Sequence, residues 1–163
     1  MKTAASIVDV RRAGPADAAH VLTMVREIAA HEGDLEHVHA TSADWADFLG
    51  RDDVVVLLAE HEGRALGYTS AVRRLHLWSG GDVLAVDDVF VCPGARSAGL
   101  GRRLLAAMAR HAAPDRLTIT WGVEPDNVRA QRFYAGLGAS LRAKVVAGWT
   151  PDAYLPVVAL EEP

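Results

Sequence analysis

Apolar and polar residues alternate with a period of two from Ile7 to Arg12, which predicts a first strand. Beyond Gly14-Pro15 the period lengthens. Val21, Leu22, Val25, Ile28 and Ala29 recur at helical spacing and predict an amphipathic helix reaching about Glu32. A polar stretch from Gly33 to Ala40 leads to Thr41-Ser42-Ala43-Asp44. There Thr41 and Asp44 have the spacing of a capping box, with Asp in place of the usual Glu. Trp45, Phe48 and Leu49 form the apolar face of the short helix that follows. Val54 to Glu60 is a near-continuous apolar strand, His61 to Arg64 supplies a turn, and Ala65 to Arg73 reads as the antiparallel partner. A further strand is expected from Val83 to Val91, after the turn Ser79-Gly80-Gly81-Asp82.

A loop from Pro93 to Ala98 precedes a helix whose apolar face is Leu100, Leu104, Leu105, Met108 and Ala112; Pro114 ends it. Leu117, Ile119, Trp121 and Val123 alternate with Thr118, Thr120 and Gly122, the period of a strand. Asn127 can cap a helix carrying Ala130, Phe133, Tyr134 and Leu137 on one face, and Gly138 closes it. Two last strands are expected near Ser140–Val146 and Tyr154–Leu160. The order is β-α-α-β-β-β-α-β-α-β-β, with no linker, so residues 1–163 are expected to form a single α/β (α+β) domain.

Composition narrows the class without choosing within it. Half of the residues are hydrophobic and 23% are charged, which is ordinary for a globular chain and excludes disorder or a collagen-like repeat. No apolar stretch approaches the ~20 residues that cross a bilayer, and the run after Met1 is broken by Asp9 and Arg11, unlike a secretory signal. Cys92 is the only cysteine, so an intramolecular disulfide is impossible, a thiolate zinc site is disfavoured, and a cytoplasmic location is expected. His31, His37 and His39 lack metal-site spacing with Cys or carboxylates, so no metal is expected. A net charge of -4 argues against a nucleic-acid partner and is compatible with a cationic substrate.

The most informative stretch is Val89-Phe90-Val91-Cys92-Pro93-Gly94-Ala95-Arg96-Ser97-Ala98-Gly99-Leu100-Gly101-Arg102: a strand, a loop of small residues and the start of a strong amphipathic helix. A helix N-terminus offers unpaired N–H groups and a positive dipole end, which suit a diphosphate. Gly99 and Gly101 admit phosphate oxygens close to the backbone, and Arg96 and Arg102 can add charge-assisted hydrogen bonds. A helix start with convenient glycines would look the same. There is no Gly-Lys-Ser/Thr of a P-loop and no three-glycine dinucleotide fingerprint.

Arg96-Ser97-Ala98-Gly99-Leu100-Gly101 resembles the R/Q-x-x-G-x-G/A coenzyme A motif of the GNAT superfamily of N-acetyltransferases, and Asn127 to Gly138 is similar to that superfamily's second motif. The likeness implies the GNAT fold: a mixed, mostly antiparallel sheet of about seven strands, splayed at the coenzyme A site and flanked by four helices. It implies acetyl-coenzyme A as co-substrate, held by Val89, Phe90 and Val91, by Arg96 to Arg102, and by Asn127, Phe133 and Tyr134. A looser likeness joins Ile28–Glu32, Val38–Thr41, Trp78–Gly80, Val86–Val91 and Gly138-Ala139 to the diamine/spermidine subgroup, which includes thialysine-type enzymes. It implies a small primary amine as acceptor, bound beside His31, Glu32, Trp78, Asp87 and Asp88, and a homodimer.

On this resemblance a Val89 N–H meets the thioester carbonyl and Tyr134 protonates the departing thiolate. A phenol near pKa ~10 and an alkyl thiol near ~8.5 are close enough for that transfer. The acceptor must lose a proton first, because an alkylamine of pKa ~10.4 is nearly all ammonium at pH 7. Asp87, Asp88 and Glu32 can bind that ammonium and pass its proton to water. The subgroup usually has Glu-Asp where this chain has Asp87-Asp88, which favours a water-mediated path. Each of these residues also has an ordinary reading, as packing (Tyr134) or as a solvated carboxylate (the three acids). Two alternatives stay open: a superfamily enzyme acting on a protein N-terminus, an antibiotic or an amino acid, and a non-catalytic acyl-coenzyme A sensor.

Overall fold

In the computed structural model, residues 8–96 and 99–160 are described. The chain resolves into two compact units, one ending at Gly122 and one beginning at Val123. The first contains β1 (Asp9–Arg12), α1 (Ala18–Glu32), α2 (Ser42–Leu49), β2 (Val54–His61), β3 (Arg64–His76), β4 (Gly81–Val91), α3 (Leu100–Ala112) and β5 (Thr118–Thr120). Short 3-10 turns at Pro15–Asp17, Leu35–His37 and Pro93–Ala95 join them. The second unit contains α4 (Val128–Ala135) and α5 (Pro151–Leu160).

Among the described residues the sheet has five strands in the order β1-β2-β3-β4-β5. The first four are antiparallel neighbours, and β5 joins β4 in parallel after the α3 crossover. The near-continuous apolar run of β2 is explained by burial on both sides of the sheet. Val55, Leu57 and Ala59 meet Leu104, Ala107 and Met108 of α3, whereas Val56 and Leu58 meet Val21 and Met24 of α1 and Leu49 of α2. The expected apolar face of α3 is buried at every position named for it: Leu100, Leu104, Leu105, Met108 and Ala112. Thr41 closes the expected capping box, its Oγ1 accepting the Asp44 N–H at 3.2 Å while Asp44 Oδ2 accepts the Thr41 N–H at 2.7 Å.

Two expectations are corrected. The sheet holds five strands rather than about seven, and the described residues hold five α-helices rather than four. Both differences arise at the C-terminal end. Residues 140–150 adopt no regular structure, with Val145 and Val146 largely exposed, and 151–160 form α5 instead of a strand. A short apolar run does not separate strand from helix by periodicity. Here the Thr150 carbonyl accepts the N–H groups of both Ala153 and Tyr154, at 2.9 and 3.0 Å, and starts a helical turn. Of the first expected strand, Ile7 lies outside the described residues.

Candidate active site

The parallel pairing of β4 with β5 covers only Val83, Leu84 and Ala85, opposite Thr118, Ile119 and Thr120. From Val86 to Val91 the outer edge of β4 has no ladder partner among the described residues. Two bonds on the opposite side tell which groups face that edge. The Asp88 N–H donates to Ser70 Oγ at 3.2 Å and the Cys92 N–H to the Leu66 carbonyl at 2.9 Å, both toward β3. Strand alternation therefore turns the N–H and C=O groups of Val89 and Val91 to the open edge. Arg96 Nε already donates to that Val91 carbonyl at 3.2 Å. On the β3 side the strands are pressed together at Gly67, where a Cβ would lie 2.5 Å from the Phe90 carbonyl oxygen.

The β3–β4 register slips between Ser70, opposite Asp88, and Ala71, opposite Val86, so Asp87 is the extra residue of a β-bulge. The bulge inverts the facing of everything after it. Leu84 and Val86 lie in the core beneath α3, and so do Val89 and Val91, while Phe90 packs with Tyr68 in the core beneath α1. Without the extra residue Asp88 would follow Val86 into the α3-side core, where a carboxylate would be unpaired. On an unbulged strand Asp87 would share the face of Val89 and Val91; here it occupies the bulge, and Asp88 shares the face of Phe90.

Three consecutive β3 residues bind Asp88. Tyr68 Oη and Ser70 Oγ donate to its Oδ2 at 2.8 and 3.2 Å, and Thr69 Oγ1 donates to its carbonyl at 2.8 Å. All three are buried. Burial drives the Tyr68 phenol far above its ordinary pKa, and the charge and hydrogen bond of Asp88, then the charges of Glu32 and Asp87, push the same way. The three carboxylates named from the sequence thus act on one point. Asp87 reaches solvent, yet protein crowds it enough that desolvation, followed by repulsion from Asp88, raises its pKa.

Beside this group a cleft of about 520 Å³ is lined by Glu27, His31, Phe90, Pro93 and Arg96. Glu32 is exposed one residue further along α1 than His31. Trp78 does not join them. It is 97% exposed at the tip of the β3–β4 hairpin. The ladder from Ser70–Asp88 to His76–Gly81 puts that tip roughly 20 Å away at ~3.3 Å per residue. Within one chain, hairpin length, invisible in the local pattern, sets Trp78 apart from Asp87 and Asp88.

At the start of α3, Gly99 is the N-cap with φ +72°, a conformation that favours glycine, and its outer side is open. Leu100 is buried, Gly101 half-buried, and Arg102 and Arg103 are exposed in the first turn. Arginines there oppose the helix dipole, at ~0.3–1 kcal/mol each, a cost that a bound anion offsets. Ser97 and Ala98 of the expected motif lie outside the described residues. In the second unit, Asn127 caps α4 by accepting the Ala130 N–H at 3.0 Å. The rings of Phe133 and Tyr134 lie 5.4 Å apart, and burial raises the Tyr134 pKa.

An open strand edge with two outward N–H groups, followed by a cationic helix start, fits an extended amide-bearing thioester that ends in a diphosphate. Residues 22–139 match the family model described as the Acetyltransferase (GNAT) family. The chain is a member of the GNAT acetyltransferase family. It is 31% identical over 111 residues to an uncharacterised N-acetyltransferase of Mycobacterium tuberculosis, covering 66% of this chain and 67% of that one. Aminoglycoside N-acetyltransferase AAC(6')-Iy, solved with coenzyme A, superposes with a TM-score of 0.75 at 20% identity, over 93% of this chain and 99% of that one. An aminoglycoside acetyltransferase from an uncultured soil sample, solved with sisomicin, superposes at 0.75 and 14% identity, over 88% and 95% of the two chains. These structures share the fold. Membership and the named relatives make this acetyltransferase an enzyme, against the alternative of a non-catalytic sensor. No helix among the described residues is long and apolar enough to cross a membrane.

Sequence reasoning missed Tyr68, Thr69, Ser70 and Glu27. The signal for the first three was a Tyr-Thr-Ser run in the strand before the acidic pair, but only the bulged register shows which of its residues meet Asp88.

Proposed function

We propose that this acetyltransferase moves the acetyl group of acetyl-coenzyme A to a primary amine of a small cationic acceptor, by direct attack in a ternary complex. One observation carries the acceptor class: Asp87 and Asp88 stand together at the bulge, the charges of both and of Glu32 act on Tyr68, and Glu27 lines the adjoining cleft. Such a group favours an ammonium over an anionic or uncharged acceptor. Acetyl-coenzyme A supplies the activated acyl group. Val89 and Val91 hold its amide-bearing arm and a Val89 N–H faces the oxygen on which charge develops, a preorganised donor of the kind that contributes strongly to catalysis. Arg96, Gly99, Leu100, Gly101 and Arg102 receive the diphosphate.

The reaction conserves its protons. The ammonium gives one to a carboxylate and then to water; the free amine forms the C–N bond as the C–S bond breaks, and the acylated nitrogen releases its second proton to solvent. Tyr134 protonates the thiolate and recovers a proton from solvent. Net, one ammonium and one thioester yield an amide, a thiol and one proton. Burial of Tyr134 raises its pKa, so at neutral pH it holds the proton this role requires.

The sequence likeness favours a polyamine, diamine or thialysine-like acceptor. An aminoglycoside is the second reading, favoured by the neighbouring aminoglycoside acetyltransferases, one of them solved with sisomicin. Both are polycationic primary amines. Thiol release with acetyl-coenzyme A should be followed across spermidine, putrescine, lysine, sisomicin and a peptide N-terminus. Turnover of the polycations above the peptide is expected. Turnover of the peptide alone would reject the acceptor class, and sisomicin far above spermidine would select the second reading.

A further inference from the structure

Asp87 and Asp88 are chemically alike, but the fold treats them differently. Asp88 is gripped along its length: Tyr68 Oη and Ser70 Oγ converge on Oδ2, its N–H returns to Ser70 Oγ, and its carbonyl takes the Thr69 hydroxyl. Among the described residues no donor reaches Oδ1. Asp87, one residue earlier, sits unclamped on the bulge and meets solvent. We infer that Tyr68 and Ser70 are positioning residues that hold the Asp88 carboxylate in one orientation as the anchor for the acceptor's ammonium, leaving Asp87 to pass on the proton. This division rests on the reading above that a cationic amine is received at the bulge.

The chemistry of the donors supports it. Tyr68 is fully buried, and its environment favours the protonated phenol, so it donates at any working pH. Two hydroxyl donors on one oxygen immobilise a two-χ side chain before the ligand arrives, which removes an ordering cost from binding. The groups around Asp88 are mostly anionic: Asp87 on β4, and Glu27 and Glu32 on α1. His31 on the same helix and Arg96 after β4 are the cationic or titrating counterparts, and Arg96 is bonded to the Val91 carbonyl. Such an anionic surround attracts an ammonium group. Asp87, outside the clamp and meeting solvent, has its pKa raised by desolvation and then by the charge of Asp88.

The test is steady-state kinetics of Tyr68→Phe and Ser70→Ala with the best amine of the panel. Tyr68→Phe keeps the buried ring, so packing is preserved. Its expected effect is about a tenfold rise in KM for the amine, corresponding to about 1.4 kcal/mol, with kcat and the KM for acetyl-coenzyme A within about twofold. Asp88→Asn should raise the same KM further, and adding Tyr68→Phe to it should change nothing more. In parallel, a crystal structure of Tyr68→Phe should show the Asp88 carboxylate turned from its parent orientation or spread over two, with the bulge at Asp87 unchanged. A fall in kcat with unchanged amine KM, additive effects in the double variant, or an Asp88 carboxylate that keeps its parent orientation would each overturn the inference. If no small amine is acetylated at all, the acceptor reading falls separately, and the orientation of Asp88 still decides the clamp.

Discussion

At Tyr134 two effects pull on one proton. Burial raises the phenol's pKa and makes it a weaker acid, while a departing thiolate, being nearly as basic as the phenolate, draws the proton away. The balance suits a group that must stay protonated through substrate binding and give up its proton only as the C–S bond breaks. Tyr134→Phe should therefore lower kcat at least tenfold while changing the affinity for coenzyme A by less than about threefold, measured by stopped-time assays and calorimetry. An unchanged kcat would remove Tyr134 from the chemistry. Asp87 illustrates the opposite use of environment. Partial desolvation and then the charge of Asp88 raise its pKa, and a carboxylate of higher pKa is a better proton acceptor. A pair of aspartates adjacent in sequence would be equivalent on an open strand. The bulge and the β3 hydroxyls make them unequal.

At the scale of elements, the arrangement of β1, the turn before α1, and β2 depends on Arg11. Its guanidinium makes two bonds to Asp17 at 2.8 Å and two to Glu60 at 2.7 and 2.8 Å, joining three elements across the sheet edge. The bonds from Arg11 hold the Asp17 carboxyl at about 2, against an ordinary 3.8. Because the folded pKa is depressed, the stabilisation is complete above about pH 4 and is lost as pH falls toward 2. Arg11 is 39% exposed, so solvent screening reduces the contribution to about 1–2 kcal/mol. In urea unfolding, Asp17→Asn should be less stable than the parent by that amount at pH 6, and the two curves should approach each other near pH 2. A difference independent of pH would point to a packing effect instead. Asp17 is also the N-cap residue of α1, the helix that brings Glu27 and His31 to the cleft beside Phe90.

At the scale of the whole molecule, a ligand that binds only the folded state must stabilise it, by about 2.7 kcal/mol at a hundredfold excess over Kd. The melting temperature should rise with coenzyme A concentration, and Arg102→Ala should weaken the rise; a midpoint insensitive to coenzyme A would contradict the assigned cofactor surface. What local sequence determined about this protein is local: the periods of α1, β2 and α3, the Thr41 and Asn127 caps, and the small-residue loop before α3. These depend on residues a few positions apart, and the motif at Arg96 to Gly101 sufficed to point to the family. The C-terminal strands were misread because a short apolar run suits either a strand or a helix until a sheet edge or a first turn claims it. Tertiary structure alone decided the register in which β3 meets β4. That register makes Asp87 a bulge, delivers Tyr68 and Ser70 to Asp88, opens the edge at Val89 and Val91, and removes Trp78 to a distant tip. One residue of slip reverses which way every later side chain faces, and no window confined to β4 contains the strand against which that slip is counted.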